Sequence, residues 1–324
     1  MSARPRVLLT RKWTGEAELR LAARFDVTRN EGDVPMSAAA LAQAMRDYDA
    51  LCPTVTDSIN AAVLETAGRR VKLIGNFGVG YNHIDVATAS KLGIRVSNTP
   101  DVLTDTTADL AILLMLMATR RAGEGERELR SGRWTGWRPT HMMGLGLQGK
   151  TMGLIGYGRI AQATAQRAHL GFGMRIVYNS RRRVEQSIEA QCSARFIDTV
   201  EELVATSDVI SLHCPGGAQT HHLINAERLR LMKPTAVLVN TARGTVVDEA
   251  ALAQALTAGT IAAAGLDVYE REPVVNPGLL ALENVVLLPH LGSATLETRT
   301  AMGLRVAENL EAFFDGKPLR DPVV

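Results

Sequence analysis

Short apolar runs of strand length alternate with longer Ala- and Leu-rich stretches along the whole chain. The first set comprises residues 7–10, a helical stretch near 16–23, then 50–52, 59–66 and 71–75. Continuous apolar runs separated by helix-length segments are the rhythm of βαβ units and hence of a doubly wound parallel sheet. After Val96-Ser-Asn-Thr-Pro, the segment Thr104-Asp-Thr-Thr-Ala-Asp offers capping residues to an apolar helix that runs to about Thr119 and could join two domains.

A second set of alternations begins at Thr151-Met-Gly-Leu-Ile and continues through 174–178, 209–213, 236–240, 262–266 and 285–288, which predicts a second parallel sheet. The last helix, 297–314, has no strand of its own in that set, so it is expected to return to the first domain. The fold class is therefore α/β: two Rossmann-like doubly wound parallel-sheet domains, one inserted into the other. The expected boundaries are 1–99 with 291–324 for a flavodoxin-like domain and 100–290 for the inserted one. Between the sets lies Gly132-Arg-Trp-Thr-Gly-Trp-Arg-Pro, whose two tryptophans are open between core packing and a polar-loop role.

Composition adds limits rather than detail. A chain of 324 residues, 46% hydrophobic, can bury a full core, and its length favours two domains. Net charge is +2, from 36 basic and 34 acidic residues spread along the chain, so no strong field argues for nucleic acid or a membrane surface. The apolar run 110–118 is far short of the ~20 residues of a spanning helix. Three unpaired cysteines, Cys52, Cys192 and Cys214, suggest neither a disulfide framework nor a CxxC site and fit a reducing cytoplasm. The opening Met1-Ser-Ala-Arg-Pro-Arg, ahead of Val7, lacks a secretory apolar region, so export is not expected. A small-molecule partner is the remaining expectation.

The sharpest chemical signal is Gly153-Leu-Ile-Gly156-Tyr-Gly158-Arg-Ile-Ala161, which follows an expected strand and opens an expected helix. Gly156 permits the tight turn, Gly158 lets backbone N–H groups approach a pyrophosphate at the positive helix end, and small Ala161 lets helix and sheet lie close. Gly156, Tyr157, Gly158, Arg159 and Ile160 are therefore assigned to a dinucleotide. About 20 residues onward, an NAD site places an acid on the ribose 2′-hydroxyl. Here the chain reads Tyr178-Asn-Ser180-Arg181-Arg182-Arg183. An acid there would repel a 2′-phosphate, whereas Ser180, Arg181 and Arg182 can bind one, so NADP(H) is favoured and NAD(H) is the weaker option. A solvated basic turn is the competing reading.

The stretch Asn76-Phe-Gly78-Val79-Gly80-Tyr-Asn-His-Ile-Asp85, then Asn240-Thr241-Ala242-Arg243-Gly, Leu266-Asp267-Val-Tyr-Glu-Arg-Glu272-Pro and Pro289-His290-Leu-Gly292-Ser, occur in this order. Together with the dinucleotide loop they resemble the D-isomer-specific 2-hydroxyacid dehydrogenase family, most nearly its glyoxylate/hydroxypyruvate reductases. The resemblance implies reduction of a small 2-keto acid to its D-2-hydroxy acid, with Arg243, Glu272 and His290 as the catalytic set. Chemistry agrees: hydride addition leaves charge on oxygen, which takes a proton from a group titrating near neutrality, as an imidazole does. A carboxylate beside it would steady the imidazolium, and a guanidinium fork suits a substrate carboxylate.

Further implications concern contacts. The resemblance places cofactor contacts at Thr104, Cys214, Pro215, Thr241, Ala242, Asp267 and Gly292, and the substrate carboxylate on N–H groups around Val79 and Gly80, a chemically reasonable anion nest. It places Trp137 in a neighbouring subunit's substrate site, hence a homodimer. Asp267 remains open between cofactor contact, helix cap and salt-bridge partner, and Cys214 between contact and inert packing. The other histidines show no metal spacing, and neighbours His221 and His222 are expected to point apart, so no metal is expected. Two alternatives stay open: a cofactor-sensing, corepressor-like interaction protein of the same fold, and a dehydrogenase of another small acid such as phosphite or D-lactate.

Overall fold

The computed structural model describes residues 4–324; the first three residues of the N-terminal reading lie outside them. Among the described residues, twelve strands form two sheets, and every strand pairing within them is parallel.

One unit comprises the chain up to Leu103 together with Ala294–Val324. Its strands are β1 (Arg6–Leu9), β2 (Asp26–Arg29), β3 (Ala50–Cys52), β4 (Leu73–Gly75) and β5 (Arg95–Ser97), in spatial order β2-β1-β3-β4-β5. That is the flavodoxin-like order. The pattern 59–66 resolves into a single helical turn, Ala61–Leu64, capped by Asn60. Strand β2, an edge strand with alternating exposure, carries too few apolar residues to have stood out, and the alanine-rich helix Ala38–Asp47 was not among the expected elements. The last helix, Leu296–Phe314, lies on this sheet. A Cβ on Gly75 would come within 2.8 Å of Val306 and 2.9 Å of Leu310, so glycine in β4 is what lets the helix settle so closely.

The second unit, Thr104–Ser293, holds β6 (Thr151–Ile155), β7 (Arg175–Asn179), β8 (Arg195–Phe196), β9 (Val209–Leu212), β10 (Val237–Asn240), β11 (Ala263–Leu266) and β12 (Val285–Leu287). The order β12-β11-β10-β9-β6-β7-β8 reverses between β6 and β9, the switch point at which ligands of such sheets bind beyond the strand carboxyl ends. Separate apolar clusters cover its two faces, one around Leu203, Leu238 and Leu252, the other around Met115, Leu154 and Tyr178. The apolar helix Thr104–Thr119 belongs to the second cluster and packs against β11, where Leu114 occupies the space a Cβ on Gly265 would need.

The junctions fall after Leu103 and Ser293, slightly downstream of 99 and 290. Thr104 is already helical, and the segment after His290 is held inside the second unit: Asp267 accepts the N–H groups of Leu291 and Gly292, while the Thr107 hydroxyl donates to the Gly292 carbonyl at 3.0 Å. No helix among the described residues is long and apolar enough to cross a membrane.

Candidate active site

Residues of the dinucleotide motif sit at the switch point. Gly156 follows β6 with φ of 84°, and a Cβ there would lie 2.7 Å from the Cys214 backbone nitrogen, so both backbone hand and crowding demand glycine. Gly158 precedes the helix Arg159–Gln166, and a Cβ on it would meet no protein atom within 4 Å, leaving open space over the helix's first N–H groups. Ala161 is buried against the sheet. Thr241, after β10, carries a buried hydroxyl without a hydrogen-bond partner. An open glycine turn at a helix start and an unclaimed buried hydroxyl fit a dinucleotide. Tyr157 leaves only its backbone for such a ligand, because its ring is buried against Tyr178. Arg159 and Pro215 are exposed, and Ile160 is half-buried.

At the end of β7, the three arginines are not equivalent. Arg181 and Arg182 are exposed, with no side-chain hydrogen bond or ion pair among the described residues, whereas Arg183 makes a two-pronged contact with Glu189. The Ser180 hydroxyl donates to the Arg182 carbonyl at 2.6 Å, so here it shapes the turn instead of standing free as a donor.

The expected catalytic three converge beyond β10, β11 and β12. Asn240 ends β10, and its side chain accepts the Ala242 N–H and donates to the Arg243 carbonyl, both at 3.0 Å, folding the turn that presents Arg243. Gly244 then lies flat on the Tyr269–Glu270 peptide: a Cβ on it would come within 1.8 Å of the Tyr269 carbonyl carbon. Tyr269 donates its hydroxyl to the Leu288 carbonyl at 2.8 Å and its N–H to Glu272 at 3.1 Å, while buried Glu249 accepts the Glu270 N–H at 2.7 Å. These contacts hold the loop that bears Glu272.

His290 Nδ1 is 2.8 Å from Glu272 Oε2. Burial pushes the Glu272 carboxyl up, but the His290 hydrogen bond and charge, the Tyr269 N–H and the Arg243 charge outweigh it and leave the group below its ordinary value. An ionised carboxylate can only accept, so Nδ1 carries the proton and Nε2 faces away from Glu272. Nε2 has no partner among the described residues. The Arg243 guanidinium is lowered from its ordinary value by burial, against the opposing Glu272 charge. One of its nitrogens donates to the Ala242 carbonyl at 2.7 Å, and no other acceptor among the described residues claims the fork.

Asp267, directly after β11, is 1% exposed. It is neither helix cap nor salt-bridge partner: its oxygens take the Leu291 and Gly292 N–H groups at 2.6 and 2.8 Å, and its carbonyl takes the His290 N–H at 2.9 Å. Burial pushes its carboxyl upward against those bonds and the His290 charge. The N–H of Gly292, a residue expected to contact a cofactor, is thus already engaged. Cys214 is buried and its thiol is pushed up to about 11 by burial, so it stays protonated at neutral pH.

In the first unit, the Asn76 side chain donates to the Gly78 and Gly80 carbonyls at 2.8 and 3.1 Å, and Asn98 donates to the Val79 carbonyl at 2.9 Å. The carbonyls are held by side chains, and the Val79 and Gly80 N–H groups have no acceptor among the described residues. A nest for an anion needs such free donors.

Trp134 and Trp137 are 49% and 82% exposed, which removes the core-packing reading. The expectation that His221 and His222 point apart is corrected: their rings stack with centroids 4.0 Å apart, because His222 takes a left-handed backbone (φ 48°) and reaches Glu270. Among the described residues no cluster of three or more His, Cys, Asp or Glu could hold a metal.

Asn240, Gly244, Tyr269 and Glu249 were not singled out from the sequence, although they position two of the three catalytic candidates. Asn240 and Gly244 are the two ends of the quoted Arg243 motif, and an Asx residue ending a strand was a usable turn signal. Glu249 carried none, since its partner lies 21 positions away.

The family model described as D-isomer specific 2-hydroxyacid dehydrogenase, NAD binding domain, matches residues 112–292. The chain is 46% identical over 318 residues to a glyoxylate reductase of Thermococcus onnurineus, covering 97% of this chain and 94% of the relative. It is 45% identical over 318 residues to one of Pyrococcus furiosus, again covering 97% and 94%. A crystal structure of the NADPH-dependent glyoxylate/hydroxypyruvate reductase of Sinorhizobium meliloti, with NADP and malonate, is similar at a TM-score of 0.88 and 38% identity, covering 99% of this chain and 97% of that one.

Proposed function

Because the chain belongs to the D-isomer specific 2-hydroxyacid dehydrogenase family, we propose that it uses NADPH to reduce glyoxylate, and hydroxypyruvate beside it, to the D-2-hydroxy acid. The observation that carries this reading is the His290–Glu272 pair at 2.8 Å, with Arg243 close enough for its charge to act on Glu272. A relative similar along nearly its whole length being named glyoxylate reductase supports the substrate.

The residues that would hold the cofactor are the Gly156–Ile160 turn, Thr241 and Ala242, with Thr104, Cys214, Pro215, Asp267 and Gly292 around them. When bound, the nicotinamide supplies the hydride. The chain's own residues do the rest. Arg243 keeps the part of its guanidinium fork not bonded to the Ala242 carbonyl for the substrate's carboxylate and carbonyl oxygen, where charge grows as the carbonyl is reduced. Val79 and Gly80 are the further proposed donors to the carboxylate. His290 gives the proton on Nε2 to the developing alkoxide, and Glu272 keeps Nδ1 protonated, orients the ring and stabilises the imidazolium before transfer. Asp267 holds the backbone on either side of that imidazole.

Arg181 and Arg182 support NADPH over NADH, since two exposed guanidinium groups follow β7 and Ser180 stands at the position where NAD sites of this type carry an acid. We include a homodimer in this reading, with Trp137, 82% exposed, reaching a second copy; light scattering at twice the chain mass is the expected result, and a monomer removes it. Oxidation of NADPH by the purified protein, dependent on glyoxylate, tests the proposal.

A further inference from the structure

Arg183 donates from Nε and Nη2 to the two oxygens of Glu189, each at 2.8 Å. Glu189 is only 6% exposed, and its Oε1 also accepts the Tyr178 hydroxyl at 2.6 Å. That hydroxyl in turn accepts the Val184 N–H at 3.2 Å, which closes the far end of the arginine loop. The near end is closed by the Ser180 hydroxyl on the Arg182 carbonyl. Beneath the loop, the Tyr178 ring stacks on Tyr157 with centroids 4.0 Å apart, and Tyr157 stands between Gly156 and Gly158. Tyr157 is itself fixed through its hydroxyl, 3.3 Å from the Cys192 sulfur.

A buried chain of contacts therefore runs from the glycine turn, through two aromatic rings and one carboxylate, to the loop with the arginines. Burying a carboxylate is unfavourable unless it is paired and hydrogen-bonded. Here the Arg183 fork and the Tyr178 phenol supply that pairing, and they pull the Glu189 carboxyl down to about 2. The pairing also sorts the arginines: Arg183 is committed to the fold, and Arg181 and Arg182 issue from a turn closed at both ends.

We propose that Glu189 is a specificity-determining positioning residue, which by anchoring Arg183 and Tyr178 fixes the loop so that Arg181 and Arg182 meet a ribose 2′-phosphate. The proposal rests on the NADPH reading above and deepens it. Fixed donors bind an anion without first being ordered, so the cost of loosening the loop falls on the 2′-phosphate and not on the rest of the nucleotide.

Equilibrium titration of the full chain with adenosine 2′,5′-bisphosphate and, separately, with AMP tests this without turnover. In Glu189→Gln, the Kd for the bisphosphate rises about tenfold, because preorganisation is lost, while that for AMP stays within about twofold. Tyr178→Phe keeps the ring stack, loses one hydrogen bond, and raises the bisphosphate Kd about threefold with AMP again unmoved. Equal weakening of both nucleotides would reduce Glu189 to a general structural part, and unchanged or tighter bisphosphate binding would mean the anchor is not needed; either result overturns the proposal. Arg181→Ala and Arg182→Ala separate this from the reading beneath it. If the wild type does not prefer the bisphosphate, or neither arginine variant reduces that preference, the NADPH reading fails and takes the proposal with it. If the arginine variants act and the Glu189 and Tyr178 variants do not, only the role of Glu189 falls.

Discussion

His290 Nδ1 lies 2.8 Å from Glu272 Oε2, and this pair fixes which imidazole nitrogen remains for chemistry. Replacing His290 with Asn removes the titrating group while keeping a polar side chain of similar reach. The expected loss is about 10² or more in kcat for keto-acid reduction, the usual scale of general acid–base assistance. Steady-state rates of the two proteins check it, and a near-wild-type kcat would remove His290 from the mechanism.

Ser180 stands where an NAD-type site carries its acid. Ser180→Asp breaks the hydrogen bond to the Arg182 carbonyl, adds a charge that competes for Arg181 and Arg182, and repels a 2′-phosphate. The ratio of kcat/KM for NADPH to that for NADH should fall by about tenfold or more, the worth of ~1.4 kcal/mol or above. An unchanged ratio would mean that the 2′-position is read elsewhere.

Gly244 meets backbone, which cannot rotate aside. A methyl group there would enter the Tyr269–Glu270 peptide, so Gly244→Ala must separate the Arg243 turn from the Glu272 loop. Overpacking of this kind costs about 1–3 kcal/mol. We expect a melting temperature lower by several degrees and a fall in kcat larger than any rise in KM, since Arg243 and Glu272 lose their common alignment. Wild-type melting and kcat together would show that the close approach is dispensable.

Much of this architecture was legible in the sequence because parallel strands buried on both faces read as continuous apolar runs. Residues 50–52 and 151–155 appear as strands at the expected positions, and helix 297–314 was placed on the first domain for lack of a strand partner in the second. Strand β2 escaped because an exposed edge alternates too weakly, and β8 because it is two residues long. At the site, Arg243, Glu272 and His290 were found through local motifs. Their supports were not, because Glu249 and Tyr269 act through partners distant in sequence or through backbone groups with no residue code. The stacked pair of His221 and His222 shows the same limit: a left-handed residue overturned a rule that holds only for regular elements.

The central proposed step is proton transfer from an imidazole, steadied by a carboxylate, to a keto acid as it is reduced. The most direct measurement is the initial rate of NADPH oxidation by the purified wild-type protein across a panel of 2-keto acids, with NADH run in parallel. Glyoxylate and hydroxypyruvate should support steady turnover, faster with NADPH than with NADH. No turnover with any 2-keto acid and either cofactor would contradict it.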